Sequence, residues 1–329
     1  MILIRSGTLQ TYLAGVVAVL SLTAVVADEP RKQVLKAEGS GSLSAVAISA
    51  DGKILAQTED GIIRVWDLPA AKLLRSWKWK PSTLGAQRIA LSPDGKRLAT
   101  TSTALYHGDI LVYDTANGEL LWKQEDATES SWLELTFSPD GKRLVSTGNF
   151  IARKDEESLL KVWDAADGHF LRELKGGTKF RDLPIPFTPD GKTVVALSGA
   201  DRLVFWDIET GKASPEVRVP NDDGAIAEYA AAPDGKTLAI RTTKSLYLWD
   251  RPSGKRLRVL STKEGEGGKL QFSADGFSVL GFNQAGLQAW DVKTGEVRTL
   301  LKMEYSSPRA FSPDRKVLAS GFDVHLVPK

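Results

Sequence analysis

Repeated four-stranded antiparallel sheets are the fold this sequence predicts. Three observations predict it: a turn phrase that recurs seven times, an aromatic–aspartate pair that follows six of them, and a last unit too short to finish its own sheet. The turn phrase reads Ser/Thr/Ala, Pro/Ala, Asp, Gly/Arg, Lys/Phe, and its aspartates are Asp51, Asp94, Asp140, Asp190, Asp234, Asp275 and Asp314. The pairs are Trp66-Asp67, Tyr113-Asp114, Trp163-Asp164, Trp206-Asp207, Trp249-Asp250 and Trp290-Asp291. Two signals in phase at a period of roughly 40 to 50 residues mark a repeat architecture.

One unit shows the logic. Gln87 to Leu91 is a short apolar-rich run, and Ser92-Pro93-Asp94-Gly95 is a turn. Proline presets its first corner and glycine accepts a positive φ. Arg97 to Thr100 and Ile110 to Tyr113 are the second and third strands. Ala116-Asn117-Gly118-Glu119 turns the chain again, and Leu120-Leu121-Trp122 begins a fourth strand. The outer turn recurs at Asp167-Gly168, Thr210-Gly211, Ser253-Gly254 and Thr294-Gly295. Breakers at this spacing are incompatible with helices.

A sheet this small cannot bury both faces alone, and stacking equivalent sheets around an axis solves the problem. The expected fold is therefore an all-β, seven-bladed β-propeller of four-stranded antiparallel blades. The first strand of each unit suits an inner position clamped on both sides. It places large residues at Val46/Ile48, Ile89/Leu91, Leu135/Phe137, Ile185/Phe187 and Leu270/Phe272. A small one often sits between, as at Ala47, Ala90, Thr136, Ala230 and Ala310. The paired aromatics read as core, each covering roughly 150–250 Å² between blades. The Asp-Gly turns lack the further acidic ligands of a calcium loop.

After Asp314 only residues 317–321 and 324–327 can be strands. Arg31 to Lys36 resembles the fourth strands of other units, so the N-terminal strand is expected to complete the last blade and close the ring, hiding an open edge.

The turn phrases and aromatic–Asp pairs resemble the WD-repeat (WD-40) β-propeller family, in its bacterial secreted form, from about Arg31 to the C-terminus. That family's Gly-His dipeptide before the first strand is missing, and His107, His169 and His325 fall elsewhere. The resemblance thus implies the fold without the family's Asp-His-Ser/Thr-Trp network; Asp60 alone stands where that network would want an acid.

Residues 1–27 read as a secretory signal peptide: Arg5 gives a positive start, Tyr12 to Val26 is apolar, and Val25-Val26-Ala27 is a small-residue cleavage signal. Cleavage after Ala27 leaves 28–329 as the propeller and places it in the periplasm or outside the cell. The apolar run is short for a membrane span, so membrane contact is expected only if this segment stays attached. With no cysteine, disulfides and a lipobox anchor are excluded. Forty-three basic against 41 acidic residues give no global case for nucleic acid. The basic patches Lys78/Lys80 and Lys255/Arg256/Arg258 fall on or beside outer strands, where lysine guards an exposed edge.

Function is expected on the face that carries loop variation, because variable loops on a rigid scaffold are where binding lives. The second unit has an insertion at Thr101 to Asp109 with Tyr106, His107 and Asp109. The third has one at Thr147 to Ser158 with Phe150, Arg153 and Lys154. Links between blades add Trp132 and Arg181. Near the central hole stand Arg88, Glu134, Glu228 and Lys269, each four residues before the turn phrase. This mixed-charge, aromatic-bearing surface suits a protein or peptide partner. No Gly-x-Ser-x-Gly elbow, zinc-type histidine spacing or glycine-rich phosphate loop occurs, so no catalytic residue, metal or cofactor is expected. The sequence reads as a monomeric, non-catalytic interaction scaffold. The alternative is a propeller hydrolase or small-ligand sensor using the central channel.

Overall fold

A computed structural model describes residues 32–34, 43–59, 61–79, 88–104, 107–128, 134–148, 158–177, 185–261, 269–283, 286–302, 309–311, 317–320 and 323–326. Among these, strands form six four-stranded sheets and one of three strands, all built from antiparallel neighbours. The second sheet is typical. Its strands Ile89–Leu91, Arg97–Ala104, His107–Asp114 and Leu120–Thr128 follow one another from the axis outward. The fold is an all-β propeller.

Burial follows that order. The third strands Ile62–Asp67 and Arg202–Asp207 are enclosed at all four central positions, as a sheet covered on both faces requires. The outer strand Lys72–Lys78 is almost wholly exposed. Six apolar clusters each bridge consecutive sheets. Val65 and Ile63 meet Leu98 and Tyr113 between the first and second, and Val112 and Trp122 meet Phe137 and Trp163 between the second and third. Val162 and Leu174 meet Val194 and Trp206, and Phe205 and Leu203 meet Tyr229 and Trp249. Leu248 and Ala239 meet Phe272 and Trp290, and Phe282 and Leu287 meet Leu318. The core is thus a set of interfaces rather than one centre, which is how stacked repeats gain stability.

The repeated phrases turn out to be hydrogen-bonding devices. The Ser92 hydroxyl donates to Asp94 Oδ1 at 2.6 Å, and the Lys96 amide donates to the same oxygen. The Arg97 amide donates back to Ser92 Oγ. Thr188 and Asp190 repeat the arrangement. The bond from the Thr188 hydroxyl is the main reason the Asp190 carboxyl lies below its usual pKa. The aspartate of each aromatic–Asp pair caps the outer turn: Asp114 accepts from the Ala116 amide at 2.7 Å and Asp164 from Ala166 at 2.8 Å. These carboxylates are occupied by their own turns.

Two parts of the expected architecture are corrected. First, six blades, not seven, have four strands. Among the described residues the sheet Thr193–Ser198, Arg202–Asp207, Ala213–Arg218 has three, and its inner position shows a single bridge between Phe187 and Val194. Pro184 and Pro186 flank Ile185 there, and a residue without an N–H cannot sustain a ladder. Second, the described part of the N-terminal strand, Lys32–Val34, lies on the outer edge of the last sheet, opposite Asp323–Leu326. The first and last sheets meet through their inner strands, Leu43–Ile48 against Arg309–Phe311. The contact that joins the ring is therefore near the axis and not at the N-terminal strand.

The basic residues of the outer strands stitch sheets together as well as guarding edges. Arg75 donates to the Ala116 carbonyl of the next sheet at 2.9 Å, and Arg258 to the Thr294 carbonyl at 3.0 Å. Lys80 lies outside the described residues.

Candidate functional site

The two ends of the disc differ in how the chain spends its polar groups. The turn end carries the self-satisfied Ser/Thr-Pro-Asp-Gly and outer turns. A cavity of about 610 Å³ opens there between the second and third sheets, lined by Pro93, Arg97, Pro139, Arg143 and Asp164 among others. Its charges are matched, with Arg143 3.4 Å from Asp164. None of its lining groups is enclosed without a partner.

The opposite end carries the inserts. In the second sheet the insertion is an extended hairpin rather than a loop. Arg97–Ala104 pairs with His107–Asp114 in unbroken register out to Ala104 opposite His107. Asp109 anchors it: its Oδ2 accepts from Ser102 Oγ and lies 3.1 Å from the Lys123 ammonium on the outer strand. Hydrogen bonds to Glu125 and Asp109 raise the Lys123 pKa. Asp109 thus helps hold the hairpin. In the third sheet the pairing runs out to Gly148 opposite Leu159 at this same end. Tyr106, Trp132, Phe150, Arg153, Lys154 and Arg181 lie outside the described residues, and of His107 only the backbone is described.

The mouth of the axis at this end is charged. Arg88, Glu134, Glu228 and Lys269 stand at or beside the starts of inner strands in four different sheets. The Arg88 Nε donates to the Glu134 carboxylate across two sheets. The Glu134 amide donates to Thr147 Oγ1 at 3.0 Å, tying the mouth to the strand that leads into the third-sheet insertion. Glu228 is 8% exposed and sits opposite Arg241 in the register of its sheet. Burial pushes its carboxyl up to about 7, opposed by the charges of Lys269 and Arg241 and by a hydrogen bond from the Leu270 amide, and reinforced by Glu134. Its Oε1 is enclosed with no hydrogen-bond partner.

Arg241 is a functional candidate that sequence reasoning missed. It is 7% exposed, donates to the Phe282 carbonyl at 3.2 Å, and stacks its guanidinium 5.9 Å from the Trp290 ring. A signal existed: an arginine ends the otherwise uncharged run Thr237-Leu238-Ala239-Ile240 of a second strand. A second buried pair, Glu59 with Arg64, lies in the first sheet on the face that also carries Leu55 and Trp66. Among the described residues no group of three His, Cys, Asp or Glu could hold a metal ion, and no helix is long and apolar enough to cross a membrane.

The family model described as outer membrane protein assembly factor BamB matches residues 5–214 and, in a second overlapping placement, residues 92–299. Two placements sharing 92–214 are what a repeated unit produces. This family, and not the WD-repeat family that the aromatic–Asp pairs resemble, is the one the comparison supports. No curated protein matches the chain.

Proposed function

The chain belongs to the family of outer membrane protein assembly factor BamB, and from that premise we propose that it is a non-catalytic protein-interaction scaffold of the bacterial envelope. The observation that carries this is the asymmetry of the disc. One end is closed by turns that satisfy themselves. The other raises an extended hairpin beside a mouth of charged side chains from several sheets. Rigid strands presenting variable segments are suited to recognising a protein surface.

The partner face comprises Tyr106 and His107, which follow Ala104 in the chain, Phe150, Arg153 and Lys154 between Gly148 and Ser158, Trp132 and Arg181 in the links, and Arg88 and Lys269 at the mouth. Asp109 supports it. Membership of a family of outer membrane protein assembly factors supports outer membrane proteins under assembly, or the machinery that assembles them, as the class of partner. Residues 1–27 direct the chain to the periplasm and are removed after Ala27.

Simultaneous R153A and K154A substitution tests this. Cross-linking in intact cells followed by purification should recover outer membrane proteins with the wild-type chain. Recovery should fall at least about tenfold with the double variant, as expected for interface charges that act together, while the melting temperature stays unchanged. The purified wild-type chain should begin at Asp28. Undiminished recovery, or a retained leader, would refute the corresponding part.

A further inference from the structure

The mouth holds an unfinished hydrogen-bonding arrangement. Glu228 uses one carboxyl oxygen to accept the Leu270 amide, while Oε1 is enclosed and unpartnered. A buried polar atom left this way is destabilising, so its persistence calls for an explanation. Lys269, in the neighbouring sheet, is exposed, and no described carboxylate lies within ion-pair distance of its ammonium. Glu134 cannot neutralise it freely because Arg88 holds that carboxylate. Arg241 is engaged by the Phe282 carbonyl and the Trp290 ring. Among the described residues at the mouth, Arg88, Arg241 and Lys269 stand against Glu134 and Glu228, an excess of positive charge even with both carboxyls ionised.

We propose that this mouth takes an acidic side chain of a protein partner, held by the Lys269 ammonium and by a hydrogen bond donated from the protonated carboxyl of Glu228. The proposal rests on the scaffold reading and adds the chemistry of what the scaffold grips. A protonated carboxyl is a donor, a carboxylate only an acceptor. A turn of the Glu228 side chain presents the enclosed Oε1 to an incoming carboxylate, which gives that oxygen its missing partner and gives Lys269 its counter-ion. The groups facing Glu228 set the direction. Lys269 and Arg241 favour its ionised form, while burial and Glu134 favour the proton, and burial dominates. Binding therefore draws on the protonated population and weakens as pH rises through about 7.

Calorimetry on the whole mature chain tests this with a short peptide of alternating Glu and Ser, and its Gln–Ser counterpart as control. The Glu peptide should bind about tenfold more weakly at about pH 8 than at about pH 6, following the protonated fraction, and should take up a proton on binding. K269A should weaken it about tenfold or more. E228Q should bind with no pH dependence over that range, because an amide donates without titrating. Equal affinity for the Gln peptide, no binding of either peptide, or unchanged pH dependence in E228Q would overturn the proposal. Should the peptide fail while R153A/K154A still abolishes recovery of outer membrane proteins, the scaffold stands and only this inference falls.

Discussion

Trp206→Ala is expected to lower the stability of the folded chain by about 3–5 kcal/mol, the usual cost of emptying a large aromatic site in a core. The indole is fully buried between the third and fourth sheets among Val145, Val162, Leu174 and Val194. Its Nε1 donates to the Lys175 carbonyl at 2.8 Å, so one side chain supplies both the apolar filling and a polar tie across the interface. The loss falls where the fold has least in reserve, because the fourth sheet lacks a full inner strand and offers only the Phe187–Val194 bridge there. Chemical denaturation measures it. A loss below about 1 kcal/mol would mean that the flanks of these sheets do not carry the stability.

Gly168→Ala should be nearly as damaging, by about 2–5 kcal/mol, from two separable causes. The backbone sits at φ +76°, where an L side chain is strained. An added Cβ would lie 2.5 Å from Trp122 Cε3 and 2.7 Å from Cδ2. That ring cannot swing away cheaply, since its Nε1 is bonded to the Ala165 carbonyl at 3.2 Å. Gly254→Ala is the control. It occupies the equivalent outer turn of the fifth sheet at φ +63° with nothing within 4 Å of an added Cβ. It should lose only about 1–2 kcal/mol, the backbone part alone. Equal losses at the two positions would show that the ring contact contributes nothing.

What the sequence made legible follows from chemistry that is local. Ser92, Asp94 and Gly95 form a turn by bonding to each other, so their order in the chain is enough to reveal it. Trp163 and Trp206 read as interface core because a large apolar residue ending a third strand has few other places to go. The fourth sheet was less legible. Ile185 and Phe187 look like an inner strand by hydrophobicity, yet the flanking prolines weaken the ladder that hydrophobicity alone cannot make. Closure misled for a different reason. Resemblance of residues 31–36 to a fourth strand speaks to edge pairing, whereas the joining of the ring is decided by which inner strands meet at the axis.

The site was legible in part. Counting back from the turn phrase picks out Arg88 and Lys269, which lie just before inner strands of the second and sixth sheets. Asp109 was visible as an insert residue, but its engagement with Ser102 and Lys123 depends on a register that only folding sets. Arg241 stayed hidden because its significance arises from three neighbours distant in the chain: Glu228, Phe282 and Trp290.

The claim at the centre of this account is that the insert end of the disc is the face that meets a protein. A photo-cross-linking amino acid placed at Phe150, between Gly148 and Ser158 in the chain, and separately at Ala166, exposed in an outer turn at the other end, tests it in living cells. A discrete cross-linked envelope protein is expected from position 150 and none from position 166. Cross-links from position 166 with none from position 150 would contradict it.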